Sequence, residues 1–242
     1  MEKREYIKVV EPSSPMPTNT NHLKDLNDNF WKEWVFYYLL DFYKNHSKLE
    51  LQTIIKEEQT RKHPRPEREI TKYIRKYLRD NIKFSLRGFK VFGEVTNDED
   101  VEGNYDITLI HSYWENEFYF ECKNLSLDSK KSHIDKYVYT KIYPKNKPPK
   151  RDGGVYRYFN GKYAQNQNFG GLLGFVLADD IKSIKDRIIQ KLDNQFDTSP
   201  DGDLRQIINN SILANDFTFD SIHSRFNKDF TLHHLLFELN KN

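Results

Sequence analysis

The sequence predicts an α/β (α+β) fold, a central mixed sheet flanked by helices, with a mainly helical N-terminal extension. Three observations predict it. Apolar residues recur at three- and four-residue spacing early in the chain, which is the helical period. Short segments of alternating character follow between residues 90 and 123, which is the strand period. Helical and extended patterns then mix to the end, an order that suits a layered sheet-and-helix domain. The 242 residues suffice for one such domain with a substantial core. Only 37% of them are hydrophobic, but 17 Phe, 15 Tyr and 3 Trp supply large rings to bury. That composition argues against wholesale disorder.

Residues 1–20 read as an extended lead, because Pro12, Pro15 and Pro17 discourage helix. Leu23, Leu26, Phe30, Trp34, Tyr37 and Tyr38 mark a helix over 23–43, and a second helical stretch covers 49–59. His63-Pro64-Arg65-Pro66 breaks the chain. The domain boundary is drawn there, with 1–62 as the extension and 63–242 as the main domain. Residues 67–80 form a strong helix. Pro66 stands near its start, Glu67 and Glu69 lie in its first turn, and basic residues follow, in keeping with the helix dipole. Strands are predicted over 90–95, 105–111 and 118–123, the last two joined by a hairpin connection over 112–117. Residues 124–152 are polar and basic, a helix or long loop. A buried strand over 172–177, a helix over 181–192, a turn-rich break over 197–203 and a final strand over 229–239 complete the reading.

The net charge of +2 does not by itself announce nucleic acid. Local charge is more informative. Residues 141–151 (KIYPKNKPPKR) carry five basic side chains and no acid, and the prolines should keep this stretch extended and exposed. Lys145, Lys147, Lys150 and Arg151 are therefore candidates to neutralise backbone phosphates. Further basic clusters lie at 61–65 and at Lys72, Arg75, Lys76 and Arg79; each also reads as solvated surface. The single cysteine, Cys122, permits no internal disulfide, which fits a reducing cytosol. The charged N-terminus has no apolar signal-peptide core, and no apolar run is long enough to span a bilayer. A cytoplasmic protein without a membrane partner is expected. The histidines show no zinc spacing, and no phosphate-binding glycine loop is present.

The chemistry-bearing set is Asp106 followed by Glu121-Cys122-Lys123. Alternate strand residues share a face. Phe118, Phe120 and Cys122 then point into a core, while Glu121 and Lys123 point the other way, beside Asp106 on the preceding strand. Two carboxylates suit Mg²⁺ or Mn²⁺. Such a metal stabilises phosphate charge and acidifies a bound water, and a nearby lysine offsets developing negative charge. The same Glu-x-Lys pattern is also common on exposed strand faces.

Gly103-Asn104-Tyr105-Asp106-Ile107 followed by Phe118-Tyr119-Phe120-Glu121-Cys122-Lys123 resembles the signature of the PD-(D/E)XK (restriction-endonuclease-like) nuclease superfamily, with Tyr105 where proline is usual. The resemblance implies a restriction-endonuclease-like fold and a divalent-metal-dependent DNA endonuclease. Asp106, Glu121 and Lys123 would be catalytic. The metal would be held by Asp106, Glu121 and the backbone carbonyl of Cys122, with Glu67, counted among the catalytic residues, completing the shell through water. Many members add a glutamate on the helix before the sheet. Glu67 is preferred over Glu69, because it shares the inward face of Ile70 and Ile74. Glu94 is a further candidate ligand. The segments 157–163 and 170–176, Ser221-Ile222-His223-Ser224-Arg225, and His233-His234-Leu235 resemble parts of bacterial restriction and anti-phage defence nucleases. His223 and Arg225 are candidate phosphate contacts, and a structural role is open for both. The partners implied are DNA and a helper or effector protein of a defence system, with a homodimer as another source of specificity. A catalytically silent nucleic-acid-binding subunit of the same fold and an RNA-directed nuclease remain the alternatives.

Overall fold

The structure is a computed structural model that describes residues 12, 20–93, 95–96, 104–128, 133–160, 162–196, 203–209 and 217–239. Most of the extended lead, Glu94, Gly103 and residues 197–202 of the turn-rich break lie outside the described residues.

The predicted first helix is divided. A 3₁₀ turn over Thr20–Asp25 precedes helix α1 (Asp28–Asn45). Asn27 makes the division, its side chain accepting from the Phe30 amide as an N-cap. Ser47 caps α2 (Lys48–Gln59) in the same way. Helix α3 (Pro66–Asp80) carries proline in its first turn as predicted. Asn81 then starts a short helix, α4 (Ile82–Leu86), that the sequence pattern does not announce.

Strands β1 (Phe89–Phe92), β2 (Val95–Thr96), β3 (Asn104–Tyr105), β4 (Ile107–His111) and β5 (Phe118–Leu125) follow. The predicted strand over 105–111 is thus interrupted at Asp106. The stretch 124–152 resolves into helix α5 (His133–Val138) and a hairpin of β6 (Thr140–Ile142) and β7 (Lys150–Asp152). Strand β8 (Phe169–Val176) and helix α6 (Ile181–Phe196) match the predicted elements, each longer than predicted. Strands β9 (Leu204–Asn209) and β10 (Thr218–Arg225) have no predicted counterpart, and β11 (Lys228–Glu238) is the predicted last strand.

Seven strands form one mixed sheet in the order β1-β4-β5-β8-β11-β10-β9. The pairs β5–β8 and β8–β11 are parallel and the others antiparallel. Side-chain alternation sends each strand into two cores. Phe118, Phe120 and Cys122 of β5 join a core with Trp31, Trp34 and Phe36 of α1 and Ile70, Ile74 and Leu78 of α3. Leu172 and Val176 of β8 join Ile184, Ile188 and Leu192 of α6 in the other. The Phe36 and Phe118 rings meet at 5.4 Å. The boundary drawn at residue 62 therefore does not separate two cores, since α1 shares one with the sheet. Among the described residues no helix is long and apolar enough to cross a membrane.

Candidate functional site

The site is built where the sheet opens. Strand β4 pairs with β5 only from Ile107↔Phe120 to Leu109↔Phe118. Beyond Phe120, β5 continues against β8 alone, through Leu125↔Val176. The amides of Cys122 and Asn124 are thereby left without a strand partner on the β4 side, and unpaired buried amides are costly. Two carboxylates take them. Cys122 N donates to Asp106 Oδ2 (2.7 Å), and Asn124 N donates to Glu67 Oε2 (3.1 Å). Arg75 Nη1 donates to the Asp106 carbonyl (2.6 Å), fixing the chain at the gap between β3 and β4.

Lys123 reaches into the same gap. Its Nζ donates to Glu121 Oε1 (2.5 Å), to the Cys122 carbonyl (2.9 Å) and to Glu67 Oε1 (3.4 Å). The Lys123 side chain is 15% exposed and that of Glu121 1%. The structure thus brings together Asp106, Glu121, Lys123 and Glu67, with the Cys122 carbonyl among them. Glu69 turns away and pairs with Lys72 (2.7 Å). Cys122 is fully buried, and burial holds its thiol far above the usual range, as its parity required.

Glu121 has further partners that sequence reasoning missed as site residues. Arg157 Nη1 donates to Glu121 Oε1 (2.7 Å), and the Tyr163 hydroxyl donates to Oε2 (2.9 Å). Arg157 Nε also donates to Asp152 Oδ1 (2.8 Å), at the end of β7. Gly153, at φ 126°, turns the chain from β7 toward Arg157, and a Cβ there would stand 2.6 Å from the Val138 carbonyl. Asp152 thus ties the basic hairpin to the site through Arg157. Lys145, Lys147, Lys150 and Arg151 are all exposed on that hairpin, alongside Tyr143 at 72% exposure. Tyr105, in the position where the superfamily signature has proline, stacks on Tyr119 at 3.9 Å.

The carboxylates perturb one another. Burial first, then the neighbouring Glu121 charge, pushes Asp106 up to about 7. Burial also raises Glu67, against the pull of Lys123. Burial works against the Lys123 ammonium, yet Glu121, Glu67 and Asp106 together hold its pKa above the ordinary lysine value. Asp106 is the least compensated member, since its only side-chain hydrogen bond among the described residues comes from Cys122 N.

An oxygen-only donor set fits a hard divalent cation, and the under-compensated Asp106 carboxylate is the observation that favours one. Asp106, Glu121 and the Cys122 carbonyl are the groups that would hold it. Glu121 and that carbonyl accept from Lys123, Arg157 and Tyr163. Among the described residues, no group of three or more His, Cys, Asp or Glu is arranged to hold a metal ion. Two carboxylates leave most of a shell to water and phosphate oxygens, which is how Mg²⁺ is commonly bound.

His223 and Arg225 are not presented to a ligand, and the expectation that they meet phosphate is corrected. His223 is fully buried and bonded to Ser221 (2.8 Å). Arg225 is 7% exposed and directs its Nη atoms at the carbonyls of Tyr158, Tyr163, Ala164, Gln165 and Gln167. No family model, curated protein or solved structure matches the chain.

Proposed function

We propose that the chain is a divalent-metal-dependent endonuclease of the PD-(D/E)XK superfamily that hydrolyses phosphodiester bonds in DNA, in restriction or anti-phage defence. One observation carries the reading: Asp106, Glu121 and Lys123 converge with Glu67, which is remote from them in the chain, on the unpaired edge of β5. The seven-stranded mixed sheet between helical layers supports it as a compatible frame. The basic hairpin, tied to Glu121 through Asp152 and Arg157, supplies cations for a phosphate backbone beside the site.

Within this reading each residue has separate work. Mg²⁺ or Mn²⁺, when bound, supplies Lewis acidity toward the phosphate and an acidified water. Lys123, held from three sides, places its ammonium where negative charge builds on the phosphate. Glu67 fixes that ammonium and the Asn124 amide, so it is a positioning residue. Arg157 holds Glu121 in one orientation and adds a second cation to the pocket.

A catalytically silent binding subunit is favoured by one feature: both Glu121 oxygens already accept from Lys123, Arg157 and Tyr163. Supercoiled plasmid incubated with the protein in Mg²⁺ or in EDTA separates the two. The nuclease reading expects nicking and linearisation in Mg²⁺ alone. Retention of intact plasmid in Mg²⁺ and in Mn²⁺, with DNA bound, would favour the silent subunit.

A further inference from the structure

A cleft whose lining does not include Asp106, Glu121, Lys123 or Glu67 lies at the start of β8. Its volume is about 750 Å³, within the range of roughly 300–1,000 Å³ typical of small-ligand sites. It is lined by residues 165–168, four consecutive carboxamides, and by Asn116, whose Nδ2 donates to Asp28 Oδ1 (2.8 Å). Phe226 stands at the rim and is 74% exposed.

The backbone turns sharply around this cleft. Three of the five non-glycine residues with left-handed φ among the described residues adjoin it: Ala164 (49°), Phe226 (52°) and Asn227 (61°). At Phe226 and Asn227 these angles are the favoured geometry of the two-residue turn that joins β10 to β11 after the Arg225↔Lys228 pair. Arg225 anchors the loop that precedes β8. It spends its donors on five carbonyls of residues 158–167 and so fixes the loop that carries the amides. A loop ordered in advance binds without bearing the ordering cost at that moment. The Oε1 of Gln167 is buried and has no hydrogen-bond partner among the described residues.

We propose that this cleft binds one unpaired nucleobase of the nucleic-acid substrate, stacked on Phe226 and read at its edge by the carboxamides. Amides offer both donor and acceptor, the pairing that base edges require, with adenine the commonest partner. Exposed aromatic rings are the usual platform for an unstacked base. The cleft carries Lys228 but also Asp28 and Asp229, and the donors of Arg225 on its wall are spent on carbonyls, so it is not a phosphate trap. Its loop begins one residue after Tyr163, whose hydroxyl touches Glu121, which puts the base reader on the same segment as the cutting site. The inference rests on the nuclease reading and deepens it, since the chain then carries a base-selective element of its own.

The test uses a single-stranded oligonucleotide carrying one 2-aminopurine, titrated with protein in EDTA so that nothing is cut. Wild type should quench the probe on binding. Phe226→Gly suits the left-handed backbone and keeps the fold, yet should weaken binding about 5- to 100-fold by removing the stacking platform. Gln167→Leu should abolish the preference among homopolymer competitors, adenine first. Wild-type affinity and preference in both variants would overturn the base-reading cleft while leaving plasmid cleavage, and the nuclease reading, intact. Failure of wild type to bind any oligonucleotide would also overturn it, and the Mg²⁺-dependent plasmid assay would then decide the nuclease reading separately.

Discussion

Two clusters of ionisable side chains lie on this sheet, and they are built on opposite principles. At the edge of β5, carboxylates crowd together and Asp106 is pushed up to about 7. Between β10 and β11, histidines are sealed, and burial holds His233 and His234 below their ordinary values. Tyr137 Oη and His234 Nδ1 are joined at 2.9 Å, His234 Nε2 and Ser221 Oγ at 2.8 Å, and His223 completes the chain. His233 pairs with Asp220 at 2.8 Å. Burial, then the neighbouring histidines, holds His234 well below its ordinary value. The chain from Tyr137 through His234 and Ser221 to His223 is buried and bonded within itself, which specifies packing. The first leaves charge under-compensated at a gap in the sheet, which is how a site for a charged ligand is made.

The largest expected effect is at Lys123. Lys123→Ala should lower the cleavage rate per folded molecule by about 10²–10³-fold. Lys123→Arg should not restore it, because a planar guanidinium is differently directed. Both are read by plasmid nicking in Mg²⁺.

The two clusters should also respond oppositely to pH in metal-free protein. Asp106 has a raised folded-state value, so between about pH 4 and 7 the folded chain binds a proton that the unfolded chain does not. Its contribution to stability is present at low pH and is lost as pH rises through 7. Asp106→Asn should therefore stabilise the metal-free protein at pH 8 by up to about 4 kcal/mol, with the gain vanishing near pH 4. His233 and His234 have depressed values, so their contribution is lost as pH falls below about 6.5. Urea denaturation at pH 4, 6 and 8 in EDTA checks both signs. A variant no more stable than wild type at pH 8 would show that the Asp106 charge is already matched.

This contrast also explains what was legible in the sequence. Strand β5 was readable because Phe118, Phe120 and Cys122 alternate with polar residues, and the same parity placed Glu121 and Lys123 together. Strand β10 was not. Its buried side chains include Asp220, Ser221 and His223, which hydrophobic periodicity scores as surface. Their partners stand on the neighbouring strand, with Asp220 in register with His233. Arg157 was missed for a related reason, because its partner Glu121 lies 36 residues away. Glu67 could be favoured over Glu69 from helix geometry alone. Arg225 looked like a phosphate ligand because a sequence does not show that carbonyls occupy its donors.

Smaller effects sharpen the same division. Replacing Lys145, Lys147, Lys150 and Arg151 by alanine should flatten the salt dependence of DNA binding, by about 0.9 in slope for each phosphate no longer neutralised. Fluorescence anisotropy across salt concentrations measures it, and an unchanged slope removes the hairpin from the interface. Tyr137→Phe, in the sealed cluster, should cost about 1 kcal/mol of stability, seen as a lower urea midpoint, with no change in cleavage rate.

The most direct test sets the two clusters side by side in one plasmid time course, with rates taken per folded molecule. Wild type and Tyr137→Phe should nick supercoiled DNA at equal rates in Mg²⁺ and not at all in EDTA, while Lys123→Ala should be nearly inert. Cutting by Lys123→Ala at the wild-type rate, or cutting by wild type that persists in EDTA, would contradict a metal-dependent site at the open edge of β5.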